Sequence, residues 1–173
     1  MPRLPTLMLP AVVDADWLLA HLDQVRVIDT RRTSDYLAGH VPGACSFPLD
    51  ALLVERTDRS ALERLARASQ RALASRGIRP DEHVVLVDDA DGSAALGALM
   101  CELAGMTHVT VLQGGVTRWS TGGHTVEHFP AMPDHSDPAD WRDTPPRLDF
   151  LATIDDVVRV STDQESVLLD CRS

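Results

Sequence analysis

Val84-Val85-Leu86-Val87 is an unbroken apolar run with helical patterns on either side. A strand with no polar alternation has to be buried on both faces, which only a sheet covered above and below achieves. Val109-Thr110-Val111-Leu112 repeats the signal as a second buried strand, and Val25-Arg26-Val27-Ile28-Asp29 reads as a third. Cys45-Ser46-Phe47 is a shorter apolar piece. Helical patterns lie between these runs. Asp14 is placed to cap Ala15 to Leu22, with Leu18, Leu19 and Leu22 on one side. Thr33 to Ala38 reads as a helical turn stopped at Gly39. Ser60-Ala61-Leu62-Glu63 forms a capping box, opening a helix that carries Leu62, Leu65, Ala66 and Leu73 and stops at Gly77, with Pro80 beyond. Ser93 is placed to cap Ala94 to Ala104, closed by Gly105. A short helix bearing Trp119 follows Gly114-Gly115 and ends at Gly122-Gly123. Strands alternating with helices predict a parallel α/β sheet with helices on both faces.

Composition excludes several chemistries. All 16 basic residues are Arg, so a Schiff-base lysine and a P-loop are both absent. The formal net charge of −10 disfavours nonspecific binding to nucleic acid or to an anionic membrane. No apolar run approaches the ~18–20 residues of a membrane span. Pro5 and Pro10 interrupt the N-terminal apolar stretch, and Asp14 and Asp16 follow it, which argues against a signal peptide. Cys45, Cys101 and Cys171 have no pair spacing that suggests zinc or a disulfide framework, so a reduced, cytoplasmic setting is expected. His124, His128 and His135 lack the spacing of a metal site, and no cofactor is implied.

The chain falls into three parts. Residues 1–125 hold the strand-and-helix alternation. Residues 126–147 are rich in Pro, Asp and His and read as a linker. From 148 to 173 the pattern returns, with a helix expected over Leu151 to Val160 and a strand over Val167-Leu168-Leu169-Asp170. This last part matches the first without gaps at an offset of 141 residues. Ile154-Asp155 lies over Val13-Asp14, and Val167 to Arg172 over Arg26 to Arg31. A period this long signals tandem domains rather than a solenoid. Residues 148–173 therefore read as the beginning of a second domain that cannot close a core alone. They are expected to be disordered, to dock on the first domain, or to pair with another copy in a swapped homodimer.

Two further segments carry a family resemblance. Val27-Ile28-Asp29-Thr30-Arg31, then Tyr36, then Gly39-His40-Val41-Pro42-Gly43-Ala44 resembles the first signature of the rhodanese family. Gly114-Gly115-Val116-Thr117-Arg118-Trp119 with Gly122-Gly123 resembles the second. The resemblance implies a three-layer rhodanese-like fold with a parallel sheet of about five strands. It also implies a tandem-domain thiosulfate or 3-mercaptopyruvate sulfurtransferase, in which a second rhodanese domain of the intact chain would be the partner and a small sulfur-containing anion the substrate.

The chemistry of that family needs a cysteine thiolate at the end of the central strand, in a cradle of backbone N–H groups at a helix N-terminus. Here the position after Val87 is Asp88, and the loop Asp88-Asp89-Ala90-Asp91-Gly92-Ser93 carries three carboxylates. Asp cannot form a persulfide, and three negative charges repel an anionic substrate. The resemblance thus implies a noncatalytic N-terminal domain. Cys45 and Cys101 read as core, and Cys171 as incidental. None has an Arg six residues on, so a cysteine-phosphatase loop is absent too. Asp29 and His40 match positions suggested to assist the cysteine of a second domain, although pairing of Asp29 with Arg31 and a loop-holding role for His40 explain them as well. A regulatory binding module is the alternative, and a Mg²⁺ site on Asp88, Asp89 and Asp91 is a third reading.

Overall fold

The computed structural model describes residues 10–49, 56–131, 141–163 and 165–169. In chain order the elements are β1 (Val12–Val13), α1 (Ala15–His21), β2 (Arg26–Asp29), α2 (Thr33–Ala38), β3 (Cys45–Ser46), α3 (Arg59–Ala74), β4 (Val84–Val87), α4 (Ser93–Ala104), β5 (Val109–Leu112), α5 (Gly115–Thr121) and α6 (Ile154–Val160). The strands form one sheet in the order β1-β5-β4-β2-β3, and every pairing is parallel. β4 sits at its centre, between β2 and β5.

The apolar run of β4 is explained by its two neighbours above and below. Val84 and Leu86 point into a core shared with α3 and α4, where Leu65, Leu73, Met100 and Leu103 are buried. Val85 and Val87 point into a second core with α1, α2 and α5, built on Leu18, Tyr36, Val116 and Trp119. All four strand residues have zero exposure. The fold is the expected three-layer α/β arrangement.

Local details depart from the expectations in instructive ways. Asp58, not Ser60, caps α3: its Oδ1 accepts from the Ala61 amide at 2.9 Å, and the Ser60 hydroxyl donates to the same oxygen at 2.7 Å. A carboxylate two residues upstream takes over the cap and recruits the serine. α4 begins at Ser93 with Gly92 as its N-cap in the left-handed region, and no capping side chain comes from Ser93. α1 ends at His21, and Leu19 is 52% exposed, because it lies about 100° around the helix from buried Leu18. β5 is fully buried only at Thr110 and Leu112.

Residues from the expected linker pack on the first core. Trp141 is buried, and its Nε1 donates to the Ile78 carbonyl at 2.9 Å. Gln70 Nε2 donates to the carbonyls of Ala104 and Thr144, and the Arg147 amide donates to Leu103 O. Glu127 forms an antiparallel bridge with His40. Beyond Leu151, α6 buries no residue. It starts at Ile154, three residues later than expected, because Thr153 caps it in a capping box with Asp156. Asp155 therefore sits in the first turn and is not the cap equivalent of Asp14. Residues 167–169 are exposed and adopt no strand, since they pair with none of the described residues. Asp170, Cys171, Arg172 and His135 lie outside the described residues.

Candidate functional site

Of the site residues expected from sequence, Asp29 and the loop 88–93 converge at the C-terminal ends of β2 and β4. Asp88 leaves the end of β4 nearly buried, at 5% exposure. Its Oδ1 accepts from the Ala90 amide at 2.8 Å. Its Oδ2 accepts from the Gly92 and Ala94 amides, each at 3.1 Å. Three backbone N–H groups, one from the loop and two from the start of α4, thus enclose this side-chain carboxylate. The loop reaches that shape by placing both Ala90 (φ 63°) and Gly92 (φ 88°) in the left-handed region. Positive φ in a non-glycine residue costs roughly 1–3 kcal/mol, and the carboxylate hydrogen bonds offset it.

The neighbouring carboxylates are also engaged. Asp89 Oδ1 lies 3.5 Å from Arg31 Nη1 and accepts from the Thr117 hydroxyl at 3.4 Å. Asp91 Oδ1 accepts from the Ser93 amide at 3.0 Å, a bond that lowers its pKa below the usual carboxylate range. Ser93 Oγ lies 3.0 Å from Thr30 Oγ1. The Thr30 hydroxyl proton goes to the Val87 carbonyl at 3.0 Å, so Ser93 is the donor of that pair. Ala90 contributes only its amide.

Asp29 is fully buried and holds Arg31 through Nε at 3.0 Å and Nη2 at 2.8 Å. Arg31 Nη2 also donates to the Gly39 carbonyl at 2.7 Å. Burial opposes the Arg31 cation, but Asp29 and then Asp89 outweigh it and raise its pKa. Arg31 therefore ties β2, the segment before His40 and the strand-end loop into one network. The loop itself holds no arginine; Arg31 reaches it from just beyond β2, and the expected pairing with Asp29 was its one signal in the sequence.

His40 belongs elsewhere. It is fully buried, and its ring stacks on Tyr36 at 3.8 Å. Nδ1 lies 2.8 Å from the Tyr36 carbonyl, which can only accept, so Nδ1 carries the proton. Nε2 has no partner among the described residues. The structure brings Asp29 to the loop through Arg31, while the His40 imidazole packs under Tyr36.

The described cysteines are poor nucleophiles. Burial pushes the Cys45 thiol up to about 11 and the Cys101 thiol up to about 12. Among the described residues no group of three or more His, Cys, Asp or Glu side chains is arranged to hold a metal ion. The oxygens of Asp88 face backbone amides rather than a shared centre with Asp89 and Asp91. No helix among the described residues is long and apolar enough to cross a membrane.

The five-stranded parallel sheet, the strand-end loop and the Gly114-Gly115 turn define a rhodanese-like domain, and the family model for that domain matches residues 14–121: the chain belongs to this family. The curated relatives it matches include sulfurtransferases. The chain is 32% identical over 122 residues to the 3-mercaptopyruvate sulfurtransferase of Escherichia coli, covering 62% of this chain and 43% of that protein. It is 30% identical over 169 residues to the thiosulfate sulfurtransferase of Bos taurus, covering 94% of this chain and 52% of that protein. Among solved structures, SseA from Escherichia coli, described as a 3-mercaptopyruvate sulfotransferase of rhodanese fold, matches with a TM-score of 0.65 at 24% identity, over 87% of this chain and 61% of the other. YnjE matches with a TM-score of 0.62 at 27% identity, over 79% of this chain and 35% of the other. The chain spans about half the length of the curated relatives it matches.

Proposed function

We propose that this chain is the noncatalytic N-terminal domain of a tandem sulfurtransferase, in which a second rhodanese domain carries the cysteine. That cysteine would take the sulfane sulfur of thiosulfate or 3-mercaptopyruvate as a persulfide and pass it to a thiophilic acceptor. The observation that carries the reading is Asp88. Its carboxylate occupies the three-amide cradle in which a rhodanese thiolate would sit. An oxygen acid at this point accepts the same hydrogen bonds as an anionic sulfur but has no sulfur atom with which to form the S–S bond of a persulfide. The other described thiols are buried and protonated, so they do not replace it.

The tandem arrangement is supported by the similarity of residues 148–173 to the first copy and by relatives about twice as long. Asp29 contributes to such an enzyme by fixing Arg31 and the loop, and a cytoplasmic location fits the unpaired, buried thiols of Cys45 and Cys101. The purified chain, mixed with thiosulfate and cyanide, is expected to release no more thiocyanate than a variant with all three cysteines changed to serine. Cysteine-dependent thiocyanate formation would overturn the assignment.

A further inference from the structure

Charge is distributed very unevenly along this acidic chain. Residues 56–79 hold seven of its 16 arginines and two of its 26 acidic residues, giving +5 there and −15 over the rest. In the structure four of these arginines stand on α3, with Glu63 among them. Arg59, Arg64, Arg67 and Arg71 lie on its outer face, all exposed, while Leu62, Leu65, Ala66 and Leu73 face the core. The outer face forms one wall of an open groove of about 890 Å³, whose opposite wall is Pro146, Leu148 and Asp149. The groove includes none of residues 88–93.

Two properties of the groove point to a ligand. Arg59 is paired with Glu63 at 3.4 Å, but no ion pair among the described residues engages Arg64, Arg67 or Arg71. Arg64 donates to Ser60 Oγ and Arg67 to Gln70 Oε1, both neutral acceptors that an incoming carboxylate would outcompete. The opposite wall is partly apolar, with Pro146 and Leu148 half-buried. Arg64, Arg67 and Arg71, three and four residues apart, are neighbours about 5–6 Å apart along one helix face. Acidic side chains on every second residue of an extended peptide recur at about 6.6 Å, close to the same repeat. Alternate side chains of such a peptide face opposite ways, so acids meet the arginines while apolar residues meet Pro146 and Leu148. Ser60 to Arg71 spans about 17 Å, the length of about five extended residues.

We infer that the groove between α3 and residues 146–149 binds an extended acidic peptide segment of a partner protein, with acidic and apolar side chains alternating. Anionic membranes and nucleic acid fit it less well. Both present extended negative surfaces to a molecule that is −15 outside this stretch, and α3 turns its apolar face inward. Asp149 at the groove edge selects further against acid at that end.

The test uses the whole chain and a fluorescein-labelled peptide in which Glu and Leu alternate, read by fluorescence anisotropy. Saturable binding is expected, weakening as salt rises. Arg64→Glu/Arg67→Glu should weaken it about tenfold or more, whereas Arg56→Glu/Arg79→Glu, with the same charge change outside the groove, should leave it within about twofold. Arg71→Gln, which keeps helix propensity, should weaken it several-fold and shows that lost binding is not lost folding. A peptide of the same composition with its Glu and Leu residues in separate blocks should bind more weakly. No saturable binding overturns the proposal. So does equal loss from both double variants, or tighter binding of phosphatidylserine vesicles or of single-stranded DNA than of the peptide.

Discussion

Asp88 decides what the strand-end loop is. Its carboxylate, 5% exposed, accepts three backbone N–H groups, so removing it leaves the buried Ala94 amide and the part-buried amides of Ala90 and Gly92 without their acceptor. Asp88→Ala should therefore cost about 2–4 kcal/mol in urea denaturation, while Asp91→Ala, at an exposed position, should cost far less. The identity of residue 88 was legible in the sequence, because an aspartate stood where the family pattern has a cysteine. What the carboxylate does was not. The three-amide enclosure depends on positive φ at Ala90 and Gly92, and nothing in the residue order specifies an alanine in that region. Three carboxylates in sequence imply a loop that repels anions, but in the fold all three are engaged, Asp89 by Arg31 and Asp88 and Asp91 by backbone amides. A second residue, His83, carries a pH dependence. Its Nε2 lies 2.9 Å from Thr110 Oγ1, whose own proton goes to the Pro10 carbonyl, so Nε2 is the protonated nitrogen. Nδ1 is buried and has no hydrogen-bond partner among the described residues, and the Trp17 ring packs edge-on at 5.8 Å. Burial, with smaller contributions from His108 and His21, lowers the His83 pKa from 6.5 to about 4. A folded-state pKa below the unfolded value means that the unfolded chain binds the proton more readily. The stability that neutral His83 allows is then complete above about pH 6.5 and is lost as pH falls toward about 4. Urea midpoints should drop across that window, and His83→Gln should reduce the drop.

At the scale of elements, periodicity located the layers and local chemistry shifted their ends. The β4 run, the inner face of α3 and the glycine stops at 39, 77 and 105 were all readable, because burial and left-handed backbone leave direct residue signatures. The start of α3 was not, because Asp58 and Ser60 both offer a cap and only the folded geometry shows the serine donating to the aspartate. The strand expected over 167–170 is not formed at its described residues 167–169, because a strand is defined by its neighbours, which sequence pattern alone does not supply. One element boundary bears directly on the site. Gly115 opens α5 at φ +60°, and a Cβ built there would lie 2.1 Å from the Asp88 carbonyl oxygen. That carbonyl accepts the Val116 amide at 2.8 Å, so the glycine lets α5 dock against the loop. Gly115→Ala would clash with backbone, which has little room to move, as well as force a side chain into positive φ. It should cost about 3 kcal/mol or more, seen as a lower thermal midpoint. Gly123→Ala, whose added Cβ meets nothing within 4 Å, should cost only the smaller φ penalty.

For the whole molecule, the question is where the rhodanese-like domain stops gaining contacts. Residues 126–147 looked like a linker because their prolines and acids show no period, and aperiodic sequence conceals single anchors. Trp141 is such an anchor. It is 4% exposed, belongs to the core formed by α3 and α4, and gives its indole N–H to Ile78 O. Thr144 O and the Arg147 amide add hydrogen bonds to Gln70 and Leu103, and Leu148 and Leu151 pack on the same core. The stretch thus closes the α3–α4 face and also forms the wall of the arginine groove. If those contacts hold the segment in place, one substitution should release both. Trp141→Ala removes a large buried side chain and strands the Ile78 carbonyl, so it should destabilise the chain by about 3–5 kcal/mol. It should also raise amide exchange of residues 144–151 above that of α3. Were this segment an independent spacer, the same substitution would leave stability and the exchange of the rest of the chain unchanged.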